Sequence, residues 1–120
     1  MGIHNMKNSK RMISAILIDP FGCGVWPVEV DGDDVQTSII ENEVNTVDDF
    51  TVIETAALRA PDVIFADEDG MEKTYQRFFE LGGYRIAGKA LIVGFDDDYN
   101  KIAPVTHIEA IRAMVVFPRN

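Results

Sequence analysis

Apolar residues come in short blocks along this chain, cut by acids, glycines and prolines, which predicts more strand than helix. The densest block is Lys89-Ala90-Leu91-Ile92-Val93-Gly94-Phe95, almost continuously apolar, too short for a helix and β-branched in its middle. Such a run predicts a central strand covered on both faces. Asp96-Asp97-Asp98 ends it, because three adjacent carboxylates repel and require water. Just upstream, Phe78, Phe79 and Leu81 lead into Gly82-Gly83, a pair that supplies the positive φ of a tight turn. Adjacent Phe78 and Phe79 must point to opposite faces of a strand, so either both faces are covered there or one ring is exposed.

The rest of the chain follows the same rules. Met12 to Ile18 predicts a first strand, apolar on both faces and ended by Asp19-Pro20. Phe21 to Gly24 predicts a turn, and Val25 to Asp31 a second strand paired with the first as a hairpin. Pro27 places that strand at an edge, since proline donates nothing to a ladder. Gly32-Asp33-Asp34 offers a helix N-cap, and the spacing of Val35, Ile39, Ile40 and Val44 predicts a helix. Phe50 to Ala56 and Asp62 to Ala66 predict further strands, with acidic turns at Asp67 to Gly70 and Asp96 to Asn100. Thr106 and Glu109 have the spacing of a capping box that starts a short helix with Ile108 and Ile111 facing the core. Ala113 to Phe117 predicts a last strand. The fold class expected is α+β: one mixed, mostly antiparallel sheet of five to seven strands with two short helices. The expected organisation is a flexible lead-in over 1–11 and a single domain over 12–120.

At 120 residues and 47% hydrophobic, the chain is long enough for one domain with a core of its own. No apolar run approaches the roughly 20 residues of a membrane helix, and no secretory leader pattern is read. The single cysteine, Cys23, excludes an internal disulfide, and a cytoplasmic protein is expected. Charge changes the picture most. The net charge is −9, and from Met12 through Leu58 there is no Lys, Arg or His. Asp19, Glu29, Asp31, Asp33, Asp34, Glu41, Glu43, Asp48, Asp49 and Glu54 all fall in that stretch. Such a surface repels nucleic acid and anionic membranes but attracts a basic protein surface. Solubility alone is the simpler explanation of the acids.

Several segments resemble a family of short proteins carried by phages, plasmids and conjugative elements, the domain-of-unknown-function 3846 family. They are Ile16 to Pro20, Val28 to Gly32, Val63 to Gly70, Arg77-Phe78-Phe79 with Gly82-Gly83-Tyr84, and Ala87 to Gly94 with Asp96-Asp97, in that order. The resemblance implies a mobile-element origin and a small α+β domain, and it implies no chemistry.

Candidate chemistry is sparse. Asp96, Asp98 and Asn100 have the first ligand spacings of a calcium loop. Lys101 stands where that loop requires Gly, and His107 where it requires Glu, so a solvated turn is the better reading. Asp67 to Asp69 would form a divalent-ion cluster with Asp96 to Asp98 only if the two turns met at one sheet end. Cys23 lacks a neighbouring base, since His4 and His107 lie elsewhere in the chain. Arg77, Tyr84, Arg85 and Lys89 make the one basic, aromatic-bearing segment in the body of the chain, a candidate for an anionic ligand such as a nucleotide. No catalytic residue, metal site or cofactor is assigned. The expected function is a non-enzymatic interaction module whose acidic face (Asp31, Asp33, Asp34, Asp48, Asp49) engages a basic partner, with nucleotide binding as the alternative. Exposed edges at Val25 to Val30 or Ala113 to Phe117 leave a homo-oligomer open.

Overall fold

The computed structural model describes residues 11–34, 50–67 and 77–118. The strands are β1 (Met12–Asp19), β2 (Gly24–Asp31), β3 (Phe50–Ile53), β4 (Val63–Asp67), β5 (Phe78–Leu81), β6 (Tyr84–Ala87), β7 (Ala90–Phe95) and β8 (Lys101–Ile102), followed by helix α1 (Ile108–Met114). Six strands form one sheet in the order β2-β1-β7-β4-β3, with β8 also on β7, and β5 and β6 form a separate two-stranded sheet. Every described pairing is antiparallel.

Strand β7 is central and buried along Ala90 to Gly94, as its unbroken apolar run predicts. Its side chains alternate between two cores. Ala90 and Ile92 join Ile16, Ile18, Ile64, Phe79 and Ile111 on the helix side. Leu91 and Val93 join Leu17, Val30, Val63 and Phe65 on the other side. Both faces are dry, so these strands read as continuous apolar runs rather than as half-polar alternation. The β1–β2 hairpin forms with Met12 opposite Asp31 and Asp19 opposite Gly24. β2 is an edge strand, consistent with Pro27.

Several expectations are corrected. The sheet is antiparallel rather than mixed in every described pairing, and a second sheet exists. That second sheet is not foreseen, because no separate strand is expected over Tyr84 to Ala87, which lies in the glycine-rich stretch from Gly82 to Gly88. It is a strand instead: Gly82 (φ 59) and Gly83 (φ 85) make a two-residue hairpin loop, and Tyr84 pairs back on Leu81. The expected strand at Ala113 to Phe117 does not form. The helix continues to Met114, and only Val116 makes a bridge, exchanging two backbone hydrogen bonds with Glu80 at 2.8 and 2.9 Å. One helix rather than two is found among the described residues; the expected helix from Val35 to Val44 lies outside them. The paired phenylalanines divide as geometry demands. Phe79 is wholly buried, and half-buried Phe78 is roofed by the Arg85 guanidinium 4.6 Å from its ring centroid.

The capping box is also replaced. His107 is the N-cap of α1 and makes no side-chain cap bond. The Thr106 hydroxyl instead accepts the Arg59 N–H at 2.8 Å. Asp62, only 4% exposed, accepts the Val105 N–H at 2.9 Å and the Thr106 N–H at 2.7 Å. Gly94 makes room for this carboxylate, since a Cβ there would lie 2.9 Å from Asp62 Oδ1 and 3.1 Å from the Ala103 carbonyl oxygen. A buried acid therefore holds the entry to α1 against the start of β4.

Replacing Asp62 by Ala strands two backbone donors and lowers the unfolding free energy by about 2–3 kcal/mol. Asp62→Asn, which keeps one acceptor oxygen, costs less. Urea denaturation checks this, and an unchanged midpoint in Asp62→Ala would refute it.

Candidate functional site: the acidic end of the sheet

The sheet register decides which turns become neighbours. Ile16 pairs with Ile92 and Ile18 with Ala90 in antiparallel sense, so the Met12 end of β1 meets the Phe95 end of β7. The turn after β2 lies at that same end, because Met12 pairs with Asp31. Two acidic turns thus come together: Asp31 to Asp34, and Asp96 to Asn100.

Each turn is built by its own first acid. Asp31 Oδ1 accepts the Asp33 N–H at 2.9 Å, and the Asp31 carbonyl accepts the Asp34 N–H at 3.1 Å. Asp96 Oδ1 accepts the N–H groups of Asp98 and Asn100, both at 2.9 Å, and Oδ2 accepts the Asn100 side-chain amide at 3.2 Å. Tyr99 takes a left-handed φ of 63° there and is 84% exposed. Arg11 bridges the two turns. Its Nε and Nη2 both lie 3.0 Å from Asp33 Oδ1, and its Nη1 donates to the Lys101 carbonyl at 2.6 Å. Among the described residues, the end therefore carries six carboxylates, on Asp31, Asp33, Asp34, Asp96, Asp97 and Asp98, against the cations Arg11 and Lys101. Asp48 and Asp49, the remaining residues of the expected face, lie outside the described residues.

The anionic-ligand residues are spread along the β5–β6 hairpin. Tyr84 follows its loop, and Arg85 stands opposite Glu80 with its guanidinium on Phe78. Arg77 and Lys89 stand at the far end, where the Arg77 carbonyl accepts the Gly88 N–H at 2.8 Å. That end is on the order of 10 Å from Tyr84 along the strand. Tyr84 and Arg85 do line a groove of about 380 Å³ with Glu80, Leu81, Met114 and Val116. Of the four residues, the groove gathers two.

The remaining candidates separate in space. Val63 pairs with Val93 and Phe65 with Leu91, so Asp67 lies near the start of β7, whereas Asp96 follows its end. The six residues of β7 hold these sites roughly 20 Å apart, at opposite ends of the sheet. Asp67 and the Asp96 turn therefore do not converge on one ion; Glu68 and Asp69 lie outside the described residues. Cys23 is an exposed turn residue with φ 51°, its thiol directed at the Pro20 carbonyl 3.5 Å away. His107 is the exposed N-cap of α1.

Sequence reasoning found the Asp96 to Asn100 turn and took Gly32-Asp33-Asp34 for a helix N-cap; it found neither the turn that Asp31 builds nor its adjacency to the Asp96 turn, and it missed Arg11. No local signal could have found the adjacency, which depends on the pairing of β1 with β7. Among the described residues, no helix is long and apolar enough to cross a membrane. Comparison with family models, curated proteins and solved structures finds no match.

The Asn100 backbone N–H holds the Asp96 carboxyl below the usual aspartate range, helped by the Asn100 amide, the Asp98 N–H and the charge of Arg11, and opposed by desolvation. A carboxyl whose folded value is depressed adds stability above its unfolded value of about 3.9 and loses it as pH falls through the folded value. NMR titration is expected to give Asp96 a midpoint below about 3.9, and Asp96→Asn to flatten the loss of stability on acidification below pH ~4. An ordinary midpoint with an unchanged acid profile would count against the turn's internal bonding.

Proposed function

We propose that this chain is a non-enzymatic, acidic protein-interaction module that engages a basic surface of a partner protein. The observation that carries the reading is the convergence of two acidic turns around Arg11 at one end of the sheet. Exposed Tyr99 at that end supplies the aromatic anchor that interface energetics favour at the centre of a charged contact. The ordered segments similar to the domain-of-unknown-function 3846 family support a mobile-element origin. In that setting the partner is a host defence or nucleic-acid-handling protein, whose basic groove is suited to phosphates and so to an acidic competitor. The cytoplasm is the corresponding compartment.

Capture from host lysate at low salt and release at high salt is the expected behaviour, because exposed charges are screened beyond about 8 Å at physiological ionic strength. Three rim charges at roughly 0.5 kcal/mol each amount to about a tenfold loss of affinity in the Asp33→Asn/Asp97→Asn/Asp98→Asn variant. Salt-insensitive capture, or equal binding by that variant, would sink the reading.

A second reading, a small-molecule binder for nucleotides, rests on the groove that Tyr84 and Arg85 line. A nucleotide at a hundred times its Kd adds about 2.7 kcal/mol to stability, visible as a thermal shift. A panel without any shift would remove it.

A further inference from the structure

Arg11 occupies a seat shaped for a planar cation. One wall is Asp33, whose Oδ1 receives both Nε and Nη2 at 3.0 Å. The opposite wall is the Lys101 carbonyl, which accepts Nη1 at 2.6 Å. The floor is Gly32, where a Cβ would lie 2.6 to 2.8 Å from Nη2, Cζ and Nη1. The guanidinium therefore rests against bare backbone, and a Cβ at position 32 would force it to shift from this position. Walls and floor come from the turn after β2 and from the first residue of β8, with Lys101 separated from Arg11 by 90 positions.

The arrangement is open to exchange. The Arg11 side chain is 39% exposed and that of Asp33 is 67% exposed. An ion pair so exposed contributes little to folding. The fork of donors matches the seat, whereas a lysine ammonium is a single point charge that does not span both walls.

The geometry points to an arginine-recognition site at the acidic end, filled by the chain's own Arg11, so that an arginine side chain of a basic partner competes with Arg11 for Asp33, Gly32 and the Lys101 carbonyl. This rests on the acidic-interaction reading and adds to it a residue type and a built-in competitor. Arg11 raises selectivity: a partner must present a guanidinium well enough to displace one that is already tethered.

The test uses the full chain and two synthetic peptides of equal length, oligoarginine and oligolysine, titrated calorimetrically at low salt. If Arg11 fills the seat about nine-tenths of the time, its removal raises apparent affinity about tenfold. Arg11→Ala is therefore expected to bind oligoarginine about tenfold tighter than wild type, with a much smaller gain for oligolysine. Arg59→Ala makes the same change of net charge on the loop between β3 and β4 and controls for bulk electrostatics. Adding Gly32→Ala to Arg11→Ala should abolish the arginine preference, because the new Cβ fills the floor. Should Arg11→Ala fail to fold, Arg11→Gln carries the same comparison. Salt-dependent binding of both peptides without any gain in Arg11→Ala, or with equal gains for both peptides, overturns the seat and leaves the acidic surface standing. Absence of binding to either peptide, by wild type and variant alike, overturns both.

Discussion

Strand β7 has to be satisfied from both sides. Ala90, Leu91, Ile92 and Val93 are all fully buried, so neither face of the strand tolerates water. Its backbone groups need partners as well, and β1 and β4 supply them along its two edges. That requirement fixes more than a core. Antiparallel pairing to β1 brings the start of β1 to the end of β7, and with it the turn that follows β2. The meeting of Asp31 to Asp34 with Asp96 to Asn100 is thus a consequence of hydrophobic pairing, imposed on groups that by themselves repel.

The same strand anchors the helix. Gly94 leaves the space in which the Asp62 carboxylate sits, and Asp62 in turn holds the Val105 and Thr106 backbone. Thr106 then serves Arg59 rather than the helix it precedes. A buried carboxylate is tolerable here because its oxygens meet backbone donors, and the alternative, orphaned N–H groups inside the fold, is costly. Ile111 is buried in the same core as Phe79 and Ile92 although α1 has only seven residues, too few for stability on its own.

Period and punctuation in the sequence were enough for β1, β2, β4 and β7 and for the loop at Gly82-Gly83. Each is a local signal: a β-branched run, an acid, a proline, a glycine pair. Partnerships were not legible, because nothing local encodes that Asp62 serves a residue 44 positions away, or that Thr106 is already engaged when Glu109 arrives. Tyr84 to Ala87 was lost for a related reason. Two exposed residues beside glycines look like a turn, and only pairing with Phe78 to Leu81 makes them a strand. At the candidate site the sequence supplied the Asp96 turn and the acids of Gly32-Asp33-Asp34, and the cluster with Asp67 to Asp69 required two turns at one sheet end, whereas β4 and β7 run antiparallel and set Asp67 and Asp96 apart.

The acid count also overstates the field that a partner meets. Asp19, Asp31 and Asp96 each accept backbone N–H groups of their own turns, so their first task is to close a sheet end. Such side chains favour the turns that strand ends need, which explains why acids collect there in a β-rich chain without any functional demand. What exceeds that demand is positional. Asp97 and Asp98 follow an acid that already shapes the turn, and Asp33 spends its carboxylate on a cation from the other side of the hairpin. These charges stand where the fold brings two turns together, rather than scattered over the surface. The excess at one end, rather than the net charge of −9, is the quantity on which an interaction reading stands.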